Sequence, residues 1–465
     1  MSLVLVAAMW CAQLEAPDLL GLVQPIDAEQ HIEIGVRFED LDGNVVFDFH
    51  GDRRLALASN NKLLTTAAAL LALPADFRWH TRSYLHAGVL RVVGGGDPSL
   101  RSIGTRDVAA EYLTSLATEL KSAGVYQIDR LELDASYFDA EWRHPLWPAN
   151  QLQGIYCAPL SGLSLNGGCT EVHYLNGTLS TTPPLGEAVT WVGREKIYDS
   201  LSAWLGNNDF QIHARPPKNG RAASVAFASK DPLLVFGTWL RAGLVEQGIA
   251  VAEIAVLDAA TVLAQPVVEI SLLHDWPSVW NLTDVVVACN KASDNFLAET
   301  LLKTLGRELL AEGSFEAGRN AVHLAFAQHD FPLLQFEQAD GSGMARHPDQ
   351  LVNTSTPADL CLLLREMLAR SEGVVLFDSL PIAGVDGKLN SRFRDAVFQP
   401  QRVHAKTGFI LGASSLSGYL LAPEEQILVF SIVVNFDRGR NANTNNRRFK
   451  QMQEQLLERL LQSEL

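Results

Sequence analysis

Two polar motifs, Ser59-Asn60-Asn61-Lys62 and Ser293-Asp294-Asn295, are separated by the 230 residues from 63 to 292, and a third, Lys406-Thr407-Gly408, follows further on. If all three serve one pocket, the gap is far more chain than a single helical subdomain needs. The simplest architecture is a domain built from both ends of the chain and interrupted by a large insertion. Hydrophobic patterning agrees. Residues 32 to 58 alternate as short strands around turns at Asp42-Gly43-Asn44 and Gly51-Asp52, the pattern of an antiparallel hairpin. Ser59 to Leu73 is rich in Leu and Ala, has apolar residues at Leu63, Leu64, Ala67, Leu70 and Leu71, and stops before Pro74. It reads as a buried helix with Ser59 at its start. From Thr81 to Ala228 the chain is strand and loop, with turn signals at residues 94–98, at Asn176-Gly177 and at Pro183-Pro184. Helical spacing returns over 233–247, 279–290, 295–305 and 357–370, the last opened by Thr356-Pro357. A β ribbon over 401–436 and a charged amphipathic helix over 446–462 complete the pattern.

The expected fold is therefore α+β. Residues 1–80 and 229–465 form a discontinuous catalytic domain, an antiparallel sheet flanked by helices, and residues 81–228 form a mainly-β inserted region of one or two subdomains. A chain of 465 residues suits two or three domains. Its 47% hydrophobic and 19% charged residues are an ordinary globular balance. A net charge of −16 with no basic stretch argues against a nucleic-acid partner. No apolar run is long enough to span a membrane. The five cysteines include no C-x-x-C, and the histidines lack metal-type spacing, so neither a metal nor a cofactor is expected. Cys157 and Cys169 are close enough for a loop disulfide but are read as two separately buried thiols. Met1 to Ala12 reads either as the apolar part of a secretory signal without its basic leader, since the first basic residue is Arg37, or as a short buried element.

The motifs make chemical sense where they sit. Ser59 and Lys62 are three apart at a helix start, so they share a face with Cβ atoms about 5–6 Å apart. A serine hydroxyl needs a neighbour to take its proton, and a lysine in a dry site can have its pKa lowered enough to do so. An S-x-x-K match is expected roughly once by chance in a chain this long, so position matters more than presence. The apolar helix that follows directs Lys62 into the core. Ser293 sits between two helical stretches and can pass a proton to a leaving amine, while the Asn295 amide can bond the substrate backbone. The S-x-N pattern alone is weak, because Ser59-Asn60-Asn61 and Ser164-Leu165-Asn166 match it too. Lys406-Thr407-Gly408 lies in a strand where a bare glycine invites another backbone, here an extended peptide on an open edge. Lys406 and Thr407 offer a cation and a hydroxyl to a terminal carboxylate. The Ser59 and Phe409 N–H groups would form the oxyanion hole.

No G-x-S-x-G elbow or G-x-x-x-x-G-K loop occurs, which disfavours an α/β-hydrolase or a nucleotide-binding protein. The ordered trio resembles that of penicillin-binding proteins and class A β-lactamases. Longer stretches sharpen the resemblance: ALASNNKLLTTAAALLAL (56–73), GGGDPSL (94–100), APLSGLSLNGG (158–168), NKASDNFLAE (290–299), DGSGMAR (340–346), LPIAGVDGKL (380–389) and HAKTGFILGASSLSGYL (404–420). These are similar to the low-molecular-mass class C penicillin-binding proteins, the D-alanyl-D-alanine carboxypeptidase/endopeptidases of the penicillin-binding protein 4 type. That resemblance implies a β-lactamase/transpeptidase-like catalytic domain and a serine-type D-Ala-D-Ala carboxypeptidase, with possible DD-endopeptidase activity. It also implies peptidoglycan stem peptides and β-lactams as partners, and a periplasmic or cell-surface location. Ser59 would be the nucleophile, Lys62 the base, Ser293 the proton relay, Asn295 a substrate ligand and Lys406 the binding cation, with Arg346 facing the substrate. Gln151 and Tyr156 stand where relatives shape the cleft. The alternatives are a β-lactamase or D-amino-acid esterase/amidase of the same fold, and a non-catalytic wall-binding protein.

Overall fold

A computed structural model describes residues 18–103, 105–193, 200–257, 271–332, 334–347, 349–423, 426–437 and 442–462. The Met1–Ala12 segment and Cys11 lie outside those residues. The first expected hairpin forms from Ile32–Glu39 and Val45–Phe49, antiparallel with Phe38 opposite Phe47. Gly43 takes φ +88° in its turn, a conformation that costs a residue without Cβ little. The hairpin continues a five-stranded antiparallel sheet in the order 403–410, 413–421, 427–436, 32–39, 45–49. Strand Ile427–Phe436 is apolar almost throughout because the sheet is covered on both faces. Val429 and Val433 point into the core of the helical layer, whereas Phe430, Ile432 and Val434 meet Phe449, Met452 and Leu456 of the C-terminal helix Ala442–Gln462. The helical layer contains Asn61–Ala72, Leu282–Ala292, Asn295–Leu310, Phe315–Gln328 and Pro357–Leu368. Every residue from Asn61 to Leu71 is buried, and the polar Asn61, Lys62 and Thr65 are satisfied by bonds to the carbonyls of Asp340, Ser342 and Gly341.

The inserted region differs from its expected limits. Strand His80–His86 starts a second five-stranded sheet, and the pairings do not stop at residue 228. Ala250–Leu257 runs parallel to Gln127–Asp134, and Ser271–Pro277 pairs with His80–His86. Helix Pro232–Glu246 belongs here too, since its Phe236, Leu240 and Leu244 pack with Leu116, Leu131 and Leu133. The region is also less purely β than expected, with the 15-residue helix Val108–Ser122 capped by Asp107. Helical spacing locates a helix but not the surface it covers, which is why residue 232 reads as a return to the first domain. Two three-stranded sheets, 169–182 with 223–228 and 190–193 with 202–215, share a separate small core around Val172, Ile212 and Phe227. Among the described residues, no helix is long and apolar enough to cross a membrane.

Candidate active site

Ser59 sits in a single 3-10 turn, Ala58–Asn60, that leads into the helix starting at Asn61. The turn is tight. Ala58 has φ +50°, and a Cβ on Gly343 would fall 1.9 Å from the Ala58 carbonyl oxygen. Ser59 is half-buried between fully buried neighbours. One turn along, Lys62 has no exposed surface. Its Nζ lies 3.0 Å from Ser59 Oγ, 2.8 Å from Asn295 Oδ1 and 2.8 Å from the Ser342 carbonyl oxygen. Three partners match a tetrahedral nitrogen. As a neutral amine, Lys62 donates to Asn295 and Ser342 and keeps its lone pair for the Ser59 proton. Burial pushes its pKa below the ordinary lysine value, against the pull of Glu299, Asp340 and Asp294.

The S-D-N segment is the junction of two helices. Ser293 is the left-handed C-cap of Leu282–Ala292 at φ +58°, and Asp294 caps the N-terminus of Asn295–Leu310 by accepting from Leu297 N. The reversal turns the Ser293 hydroxyl toward Lys406, whose Nζ donates to it over 2.8 Å and to the Thr407 carbonyl over 2.9 Å. Lys406 is fully buried, and burial, then the charge of Lys62, drives its pKa well below the lysine range. It does not line the cleft, and Ser293, to which it is bonded, does. Asn295 is engaged at both ends, accepting from Lys62 and donating through Nδ2 to the Tyr156 carbonyl of the inserted region over 2.8 Å.

Strand Val403–Ile410 lies at the sheet edge, but residues 381–383 already bond its outer side at Val403 and Ala405, so a peptide strand could add only beyond them, toward Thr407 and Phe409. The role expected for Gly408 changes. A Cβ there would sit 2.2 Å from Ser415 Oγ, 2.9 Å from the Leu57 carbonyl oxygen and 3.0 Å from Ser59 N. The backbone that needs the missing side chain is the nucleophile's own turn, which the glycine lets the strand approach.

The cleft forks at Ser59 and Ser293. A larger lobe of about 780 Å³ carries Asn295, Arg346, Gln151, Tyr156 and residues 409–411, and a smaller one of about 240 Å³ carries Thr407, Gly408 and Phe409. Arg346 is held by its backbone N–H to the Leu146 carbonyl and faces Met344 Sδ at 3.9 Å. Cys169, which lines the larger lobe, and Cys157 are separate free thiols. Cys289 is buried near Lys62, and burial lifts its pKa to about 12, so it stays a thiol.

Sequence reasoning missed the support beneath Lys62. Glu299, fully buried, accepts from Gly341 N over 2.7 Å and Ser342 N over 3.0 Å, fixing the peptide whose carbonyl holds the lysine. Asp340 accepts from Gly343 N, Ala345 N and Trp147 Nε1. Glu299 lies four residues after Asn295, one helix turn on the same face, and that spacing was the available signal.

The sequence profile of the D-Ala-D-Ala carboxypeptidase 3 (S13) family matches residues 26–458. A D-alanyl-D-alanine carboxypeptidase from an Actinomadura species is 28% identical over 460 residues, covering 92% of this chain and 80% of the relative. The D-alanyl-D-alanine carboxypeptidase DacB of Haemophilus influenzae is 24% identical over 409 residues, covering 84% and 82%. In fold, the crystal structure of penicillin binding protein 4 (dacB) from Haemophilus influenzae matches with a TM-score of 0.76 at 22% identity, over 96% of this chain and 99% of that one. A predatory peptidoglycan endopeptidase from Bdellovibrio bacteriovorus matches at 0.52 with 16% identity, over 93% and 94%. The chain belongs to the D-Ala-D-Ala carboxypeptidase 3 (S13) family, and is by that membership a serine peptidase.

Proposed function

We propose that Ser59 carries the acyl-enzyme of a D-Ala-D-Ala carboxypeptidase acting on peptidoglycan stem peptides, and that β-lactams acylate the same hydroxyl. The observation that carries this reading is the Lys62 amine, with two acceptors for its hydrogens and Ser59 Oγ at 3.0 Å for its lone pair. Ser59 Oγ attacks the carbonyl of the penultimate D-alanine as Lys62 takes its proton. The Ser59 and Phe409 N–H groups meet the developing oxyanion. Ser293, bonded to Lys406, hands a proton to the departing amine and takes up the one Lys62 holds, which leaves Lys62 neutral again for the water that releases the acyl group. Asn295, Thr407 and Arg346 orient the peptide. Substrate of this kind lies outside the cytoplasm, so the working location is the periplasm or the cell surface.

The test is incubation of purified protein with a fluorescent penicillin, read on a denaturing gel beside Ser59→Ala. A persistent band that needs Ser59, with release of D-alanine from a D-Ala-D-Ala peptide, is expected. Rapid penicillin turnover without a band would make the chain a β-lactamase instead, and no label in the intact protein would leave a wall-binding role.

A further inference from the structure

The smaller lobe lies between the edge strand and the C-terminal helix, and its chemistry is distinctive. Besides Ser59, Ser293, Thr407 and Gly408 it is lined by Arg392, Lys450 and Gln453, and by Lys388, which stands at the fork and lines the larger lobe as well. Arg392 is paired with Glu454 at 2.7 Å, but among the described residues no carboxylate pairs Lys388 or Lys450. In a chain of net charge −16 this is a local excess of positive charge. It reaches the site itself, since the Lys388 charge is one of those that lower the pKa of Lys406. Gln453 adds an independent sign. It has no exposed surface, its Oε1 accepts from Arg392, and its Nε2 has no acceptor among the described residues. A buried amide N–H without an acceptor is costly, and a ligand oxygen in the lobe would supply one.

The fork assigns the two lobes. Ser293, which delivers the proton to the departing amine, borders both lobes, and Thr407, whose hydroxyl suits the carboxylate on that amine, lines only the smaller one, so the amine leaves into the smaller lobe. The acyl part keeps the larger one, beside Asn295 and Arg346. At about 30 Å³ per water, 240 Å³ is room for about eight water-sized groups, more than the six heavy atoms of free D-alanine fill.

We infer that the lobe lined by Lys388, Lys450 and Gln453 is a subsite for a leaving group bearing a carboxylate beyond that of D-alanine. This rests on the acyl-transfer reading of Ser59. The bond cleaved is unchanged: Ser59 Oγ bonds the carbonyl carbon, the amide C–N bond breaks, and the serine proton ends on the departing nitrogen. Only the preference for what that nitrogen carries is new. Lys388 and Lys450 select an acidic leaving group, and Gln453 donates to one of its oxygens.

The test uses three peptides with one acyl part, ending in D-Ala-D-Ala, D-Ala-D-Glu and D-Ala-D-Gln, and compares kcat/KM. The wild type should prefer the D-Glu over the D-Gln peptide by about tenfold, the scale of one partly desolvated ion pair. In the double variant Lys388→Met/Lys450→Met the ratio should fall to near one. Lys388→Arg/Lys450→Arg should restore it, and circular dichroism checks that both variants fold. Because the two peptides are nearly isosteric, any general loss of activity cancels in the ratio. Turnover of all three peptides with no preference in the wild type, or a preference that survives the double variant, overturns the subsite alone. No turnover of any peptide, with no Ser59-dependent penicillin label, overturns the acyl-transfer reading as well.

Discussion

Glu299→Gln isolates the support beneath the catalytic lysine. The carboxyl group uses both oxygens as acceptors, Oε2 from Gly341 N and Oε1 from Ser342 N. Burial, then Asp340, pushes its pKa up to about 8, so much of it is protonated at neutral pH. In either protonation state it has two accepting oxygens. The amide has one, and its NH2 would face a buried backbone N–H. One buried donor without an acceptor costs about 1–3 kcal/mol. The loss passes to the reaction because Ser342 offers its carbonyl to Lys62 at 2.8 Å. If that contact loosens, a loss of about 1.4 kcal/mol slows acylation about tenfold. The assay is the second-order rate of labelling by a fluorescent penicillin, beside the thermal midpoint. We expect about tenfold slower labelling, still at Ser59, and a lower midpoint. The pH dependence supplies a second readout. A carboxyl whose folded pKa is raised stabilises the fold fully below its ordinary 4.5 and loses that contribution as pH rises toward about 8. The wild type should lose stability over that window and the variant should not. Labelling within twofold of wild type, at an unchanged midpoint, would refute the positioning role.

Two further outcomes follow from the same geometry. Lys62→Ala should slow labelling by roughly 10²- to 10⁴-fold, the usual worth of a general base. In the wild type the rate should climb with pH as the buried amine sheds its proton at a pKa below the ordinary 10.5, a limb the variant's pH–rate profile should lack. Gly408→Ala places a methyl 2.2 Å from Ser415 Oγ and 3.0 Å from Ser59 N. Overpacking of that kind costs about 1–3 kcal/mol, and the strand must move away from the nucleophile. Labelling should fall more than tenfold with the far-ultraviolet spectrum unchanged, and wild-type labelling would show that the close approach is unnecessary.

What could be read in the sequence was local. Ser59 and Lys62 are one helix turn apart, so their contact follows from spacing alone, and the strands and helices of the first domain announce themselves by period. What escaped depends on pairs distant along the chain. Glu299 and Ser342 carry no mark that they meet, and helix Pro232–Glu246 shows an apolar face without saying that Leu131 and Leu133 cover it. Gly408 shows the same limit: a bare glycine calls for a close backbone, but only the fold reveals that the turn at Leu57–Ser59 is one.

The insertion inferred from the 230-residue gap reads in sequence as a separable addition, yet it is bonded to the helix that Asn295 opens and to Asp340. Tyr156 accepts from Asn295, and the Trp147 indole donates to Asp340. Arg101 approaches Asp294 within 3.6 Å while lying over the Trp280 and Phe296 rings. Lys303, on the helix that Asn295 opens, is buried and bonded to Asp139 at 2.6 Å. Each contact lands on a residue next to a motif or on the element that carries it. Asn295 is the sharpest case. An amide that presents its oxygen to Lys62 turns its nitrogen the other way, and the acceptor it meets there is a carbonyl of the inserted region. The amide that meets the base is therefore held by Lys62, from before the gap, and by Tyr156, from within it, so the insertion acts on the lysine's environment through Asn295.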